Sequence, residues 1–191
     1  MSQGRKNKIA IIGHTRGIGK AIADLYRDKD YDVVGFSRSN GYDMTIHQEK
    51  ILEGIKECDL IVLNAHAGRH QLKLLKNIYS RYHDDNKKIA VITSTSGTAE
   101  GMDEDVKDKA YQDYCNDKEE LITYVKELQQ DLLPRHMSVY DVCPDVVDTD
   151  MTKGLWTNLP KLDPREVARA VSYCFESTFN INRIVIQKNA N

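Results

Sequence analysis

The sequence is short of several features that mark specialised chains. It has four prolines, all after residue 133, and only one tryptophan and three phenylalanines in 191 residues. No Gly/Ser linker, low-complexity tract or internal repeat interrupts it, so a single domain over 1–191 is expected, with irregular loops gathered late. It lacks an apolar run long enough to span a membrane, and the stretch before Gly13 is too poor in apolar residues for a signal-peptide core. Excess positive charge is also absent. With 27 Lys and Arg against 29 Asp and Glu the net charge is −2, and one small basic cluster (Arg5, Lys6, Lys8) flanks an expected strand. That excludes the basic surface a general nucleic-acid or anionic-membrane binder requires. The four cysteines (Cys58, Cys115, Cys143, Cys174) are scattered, with no Cys-x-x-Cys pair. In a chain large enough to bury its own core they read as reduced thiols in a cytoplasmic setting. His66 and His70 stand four apart without a third ligand or a carboxylate cluster, so no metal is expected.

What is present is ordinary globular material, 40% hydrophobic and 29% charged, arranged as short apolar runs alternating with helical periods. Strands are expected at 8–12, 32–36, 60–63, 88–93, 137–142 and 183–186. Most are apolar on consecutive positions, as strands buried on both faces of a parallel sheet are. Helices are expected at 18–29, 46–57, 70–83, 110–132 and 164–177. The fourth carries Tyr111, Tyr114, Leu121, Ile122, Val125, Leu128 and Leu132 at steps of mostly three and four. Asp163, Pro164 and Glu166 form a helix-start signature with a capping acid and a capping-box partner. Strands alternating with helices imply an α/β doubly wound, mostly parallel sheet of about six strands flanked by helices.

The first strand runs into Gly13-His14-Thr15-Arg16-Gly17-Ile18-Gly19, and a helix follows. At a strand-to-helix turn the first glycine permits the tight bend. The second lets backbone approach a pyrophosphate, and the third lets helix and strand pack closely. The amide-rich helix start then favours an anion. About twenty residues on, at the end of the second strand, a site selective for NAD would place an acid on the ribose hydroxyl. Here that strand ends Phe36-Ser37-Arg38-Ser39. Arg38 and Arg16 suit a 2′-phosphate instead, so NADP(H) is expected to be preferred, with NAD(H) as the alternative.

The fourth strand ends in Ser94-Thr95-Ser96-Gly97, and the long helix carries Tyr114 and Lys118. Positions i and i+4 share a helix face, so phenol and ammonium can address one cleft. A phenol with a pKa of about 10 is a poor acid or base at neutral pH, and a neighbouring ammonium pulls it toward the working range. Ser94 at a strand end can hold a substrate carbonyl as charge develops on its oxygen.

In this order and spacing the sequence resembles the short-chain dehydrogenase/reductase family, collinearly from Lys8 to Gln187. Gly13, Gly17 and Gly19 match its glycine motif, with Thr15, Arg16 and Ile18 between and beside them. Asp43 is similar to the aspartate that binds adenine, and Asp59 through Ala65 resembles the strand ending in the Asn-Asn-Ala-Gly segment, here Asn64 and Ala65. Ser94, Tyr114 and Lys118 fit the catalytic serine and the Y-x-x-x-K pair. The stretch from Cys143 to Met151 resembles the segment beside the nicotinamide. There Pro144 would line the ring, Val147 would meet the carboxamide and Thr149 the carboxamide or phosphate. The resemblance implies a Rossmann-like fold and reversible hydride transfer between NADPH and a small carbonyl substrate. Tyr114 would be the acid/base, Lys118 the ribose ligand that lowers the Tyr pKa, and Ser94 the carbonyl anchor. Ser37 and Arg38 would serve the cofactor, and helices 70–83 and 110–132 resemble surfaces that pair this family into homodimers or homotetramers.

The sequence departs from the family in ways that matter. Ile12 replaces a threonine and Asp145 a glycine. The family's third strand is missing between Arg38 and Asp43, which leaves an expected strand order of 2-1-3-4-5-6. The asparagine of the proton relay would fall near His66, with Asn64 and Asn77 as imperfect substitutes. The loop 145–162 is expected over the substrate cleft, with Met151, Leu155 and Trp156 forming either a lid or sheet packing. Glu100, Asp103, Glu104, Asp105 and Asp108 read as a solvated loop. Two competing readings remain. One is a non-catalytic NADP(H)-binding sensor or partner-binding domain. The other is a flavodoxin-like domain, against which the glycine loop and the Tyr/Lys helix argue.

Overall fold

The computed structural model describes residues 7–98, 108–130 and 136–188. Arg5, Lys6, Glu100, Asp103, Glu104, Asp105 and Leu132 lie outside them. Six strands form one parallel sheet: β1 (Lys8–Ile12), β2 (Asp32–Phe36), β3 (Leu60–Leu63), β4 (Lys88–Ile92), β5 (Ser138–Pro144) and β6 (Arg183–Ile186). Their order is β2-β1-β3-β4-β5-β6, the order expected once the family's third strand is removed. Between Phe36 and the next α-helix the described chain forms only a short turn of 3-10 helix at Arg38–Asn40.

The continuous apolar runs are explained by the two layers they feed. Along β1, Ile9 and Ile11 point into one core, while Ala10 and Ile12 point into the other. Strand β4 repeats this, with Ala90 and Ile92 on one side and Ile89 and Val91 on the other. The side chains alternate with a period of two, but both sides are covered, so no polar residue is needed between them.

The helices α1 (Gly17–Asp28) and α5 (Pro164–Glu176) cover the face of Ile9, Ile11 and Val62. The helices α2 (Gln48–Ile55), α3 (His70–Tyr82) and α4 (Lys109–Gln130) cover the other. Helix α5 starts as its sequence expects. The Asp163 carboxylate accepts from Arg165 N–H at 2.8 Å, and Glu166 accepts from Asp163 N–H at 2.8 Å. Helix α2 is shorter than its periodicity implies because Asp43 makes a competing turn. Its Oδ1 accepts from the Thr45 amide (2.9 Å) and hydroxyl (2.8 Å), leaving Ile46 exposed before the helix begins. Among the described residues no helix is long and apolar enough to cross a membrane. All four cysteines are buried and unpaired.

Because every strand runs the same way, the segments following β1, β2, β3, β4 and β5 all emerge along one edge of the sheet. In open α/β sheets that carboxyl edge, at the point where strand order reverses, is where ligands bind. Here the reversal falls between β1 and β3.

Candidate active site

The glycine loop is built by close packing. Gly13 has φ +91° and Gly17 φ +52°, conformations that side chains rarely adopt. A Cβ on Gly19 would lie 1.9 Å from the Gly13 carbonyl oxygen, and one on Gly13 would lie 2.8 Å from Ala65 Cβ. The loop is pinned from both neighbouring strands: Gly13 N–H donates to Phe36 O at 2.7 Å, and Asn64 Nδ2 donates to Gly13 O at 3.0 Å. Asn64 is therefore a support of the loop. At the start of α1 neither a capping side chain nor a first-turn acid occupies the amides, so the helix end is free for an anion. Thr149 comes to the same place from the loop after β5, its Cγ2 3.0 Å from where a Gly17 Cβ would stand.

At the end of β2, Ser37 caps the short 3-10 turn and is engaged by Ser39 and Asn40. Arg16 and Arg38 are exposed, and neither guanidinium donates a hydrogen bond among the described residues. The nearby Arg38 charge and the hydrogen bonds from Thr45 hold the Asp43 carboxyl below its usual pKa, the hydrogen bonds contributing most. The glycine cradle that any Cβ would fill, the open amides and two free guanidiniums fit a phosphate-bearing dinucleotide.

The Ser94, Tyr114 and Lys118 side chains converge beyond β4. Ser94 is buried, and its Oγ accepts from Ser96 N–H at 3.2 Å. Burial pushes the Tyr114 phenol above its ordinary pKa, while a hydrogen bond with Ser94 pulls it back. Lys118 is 3% exposed, with its Nζ 5.6 Å from the Tyr114 ring centroid. That ammonium lies against the ring face. It donates to Gln71 Oε1 at 2.9 Å and to Ile92 O at 3.0 Å. Without a bound cofactor, then, burial dominates the Tyr114 pKa, and the Ser94 hydrogen bond, in place of the Lys118 charge expected from the sequence, is what lowers it. Desolvation also brings Lys118 itself down to about 8.

Similarity to known proteins follows the same line. The chain is 24% identical to 3-oxoacyl-(acyl-carrier-protein) reductase FabG of Vibrio cholerae over 88% of this chain and 89% of that protein. It is 24% identical to carbonyl reductase family member 4 of Xenopus tropicalis over 93% and 94%. These similarities support a short-chain dehydrogenase/reductase. Among solved structures of this fold, the 3-alpha-hydroxysteroid dehydrogenase of a Pseudomonas species, complexed with NADH, superposes with a TM-score of 0.78 at 16% identity, covering 94% of each chain. BdcA in complex with NADPH gives 0.73 at 20% identity over 94% and 92%. No family model matches the sequence.

The position opposite Lys118 differs from what the sequence implies. His66 makes no hydrogen bond to the ammonium, and its Nε2 lies 3.9 Å from Asp117 Oδ2. Its ring meets Tyr114 edge-on at 4.9 Å, and burial with the nearby Lys118 charge lowers its pKa to about 4, so it is neutral. His66 also precedes α3, so it shares no helix face with His70. Asn64 is spent on Gly13, and Asn77 donates to Gln48 at 2.7 Å on the α2 side. The partner of Lys118 is Gln71, 1% exposed, whose amide nitrogen donates to Leu63 O and Ile92 O, both at 3.2 Å. The sequence holds a signal for it: Gln71 stands in the apolar stripe of Leu74, Leu75 and Ile78, where a polar residue has to be satisfied inside. Gln71→Leu removes an acceptor from a buried charge and is expected to cost roughly 1–3 kcal/mol in urea unfolding. A change below a few tenths would show that Gln71 is dispensable to Lys118.

Asp145, which replaces the usual glycine, also has a job. Its carboxylate accepts from Thr95 Oγ1 at 3.1 Å, and its amide donates to Ile186 O at 2.9 Å. It ties the end of β5 to the turn that carries Ser94. The Val147 side chain is buried in the α1/α5 core, and its carbonyl accepts from the Thr152 hydroxyl at 2.5 Å. Of the three apolar loop residues, Met151 and Leu155 are exposed and do not pack on the sheet, while Trp156 lies against Tyr111 of α4 at 5.7 Å. Among the described residues no group of three His, Cys, Asp or Glu side chains comes together as a metal site would require.

Proposed function

We propose that this oxidoreductase uses NADPH to reduce a small carbonyl compound, and that Ser94, Tyr114 and Lys118 carry the chemistry. The observation that bears the reading is the buried Lys118 ammonium beneath the Tyr114 ring, beside Ser94 and along the same sheet edge as the glycine loop. When bound, the cofactor supplies the hydride. The chain's own share is positioning and proton handling. Ser94 donates a hydrogen bond to the substrate oxygen. Tyr114 passes its proton to that oxygen as the carbon is reduced, and the positive charge of Lys118 favours the phenolate left behind. Gln71 and the Ile92 carbonyl hold Lys118 below the ring. Gly13, Thr15, Arg16, Gly17, Ile18 and Gly19 would cradle the pyrophosphate with Thr149, while Ser37, Arg38 and Asp43 would take the adenosine end. Ala65, Pro144 and the Val147 backbone would line the nicotinamide half, with Asn64 bracing the loop beside them. Met151 and Leu155 of the loop after Thr149 are exposed, and the substrate would enter beside this loop.

Cofactor choice rests on Arg16 and Arg38, which have room for a 2′-phosphate and no acid at the end of β2. Arg38→Ala is expected to weaken NADPH about tenfold, the equivalent of one charge-assisted contact of roughly 1.5–3 kcal/mol, and to leave NADH unchanged. Titrating both cofactors into both proteins checks this, and unchanged selectivity would overturn it. The activity itself is tested by following NADPH oxidation across a panel of small aldehydes and ketones. Turnover that fails in Tyr114→Phe supports the reading. NADPH binding without turnover on any member would favour the non-catalytic sensor instead.

A further inference from the structure

A second buried ionisable cluster lies under the same helix, and the chemistry above does not use it. Asp141, in the middle of β5, is 1% exposed. It sits two residues beyond Val139, so its side chain faces the α2/α3/α4 layer from which Lys118 descends. Its Oδ1 accepts from the hydroxyl of Thr93, the residue after Ile92, whose carbonyl accepts from Lys118. Its Oδ2 lies 3.2 Å from Arg183 Nε on the edge strand β6, and Arg183 also donates to Cys143 Sγ at 3.0 Å. A carboxylate so placed has little reason to survive in a sheet interior unless it balances charge.

We infer that Asp141 is a positioning residue for the active site, the counter-charge that keeps Lys118 an ammonium beneath Tyr114, with Arg183 setting how much of that charge reaches it. The groups facing Lys118 are Asp141 and Cys143 from β5, Asp117 and Tyr114 from α4, His66 from the loop after β3, and the Gln71 amide from α3. His66 is neutral, and the thiol and phenol are uncharged near neutrality because burial raises both. The charges left are carboxylates, and Asp141 is the stronger influence on Lys118, ahead of Asp117. The groups facing Asp141 are Thr93, Arg183, Lys126 and Lys118, all of which favour its ionised form against the cost of burial, and the buried thiols of Cys143 and Cys174. The two buried groups thus stabilise each other's charged states, while burial works against both.

The kinetic consequence rests on the proposed reductase reading, but the charge state of Lys118 does not, so the test has two arms. In the first, the cofactor-free protein carries lysine labelled at Cε and Nζ. The Lys118 resonance is assigned by its loss in Lys118→Met and titrated by NMR. Asp141→Asn keeps the shape and the Thr93 contact but removes the charge. It is expected to move the Lys118 midpoint down by at least about one pH unit, a tenfold change in protonation equilibrium. Arg183→Gln removes the cation that shields Asp141 and is expected to move the midpoint up. The opposite signs separate an electrostatic role from a structural one, which would disturb both variants alike. If Asp141→Asn does not fold, Arg183→Gln alone decides. An unchanged midpoint in the variants that fold overturns the inference. In the second arm, the alkaline limb of kcat/KM for NADPH oxidation is expected to shift in each variant by the displacement that NMR reads. Wild-type protein without turnover would sink the reductase reading and leave the first arm standing. Turnover whose pH profile ignores a shifted Lys118 would overturn the link between Asp141 and the chemistry.

Discussion

Tyr114→Phe is expected to lower turnover by roughly 10²–10⁴-fold, the range a lost general acid spans, while NADPH affinity stays within about threefold. The substitution is clean. The ring remains for Lys118 to lie against and for His66 to meet edge-on, and only the hydroxyl that bonds Ser94 disappears. The proton has no other evident source at that point. His66 is neutral with a pKa of about 4, too low for a useful acid near neutrality, and Lys118 is turned toward Gln71 and Ile92 O. NADPH oxidation measures the first quantity and fluorescence titration of bound NADPH the second. Turnover near wild type would remove Tyr114 from the chemistry. Loss of cofactor affinity alongside turnover would make it a binding residue.

The second large effect concerns the cradle. Gly19→Ala places a Cβ 1.9 Å from the Gly13 carbonyl oxygen and 2.8 Å from Asn64 Nδ2. The first neighbour is backbone on a strand end and cannot rotate away, so α1 must move off β1 or the loop must open. Overpacking of this kind costs about 1–3 kcal/mol of stability, readable as a lower midpoint in urea. Displacing the helix start also withdraws the amides that would meet the pyrophosphate, so NADPH affinity is expected to fall by about a hundredfold or more. A protein that binds NADPH normally with Ala at this position would show that the cofactor lies elsewhere. A protein that loses stability but not affinity would assign Gly19 to packing alone.

Most of the architecture is legible in the amino-acid order because each element answers to a local rule. The runs 8–12, 60–63 and 88–92 are apolar without alternation because both faces of those strands are covered, and that pattern alone separates a parallel, two-sided sheet from a half-exposed one. The start of α5 is written in Asp163, Pro164 and Glu166. Boundaries fail where two local rules compete. At 43–47 the carboxylate of Asp43 captures the turn before the apolar period of α2 takes hold, so the helix begins at Gln48.

The proposed site divides in the same way. Gly13, Gly17, Gly19, Ser94, Tyr114 and Lys118 are recognisable because a strand end, a tight turn and an i, i+4 pair are short-range geometry. Gln71, Asp141 and Asp145 are not, since each takes its meaning from a partner distant in sequence: Gln71 from Lys118 and Ile92, Asp141 from Thr93 and Arg183, Asp145 from Thr95. A polar residue inside an apolar stripe states that a partner exists without saying which. Local periodicity and turn chemistry thus determined the strands, the helices and the glycine loop of this protein. Only the folded sheet, by bringing β3, β4, β5 and β6 side by side in low dielectric, decided which buried charge answers which.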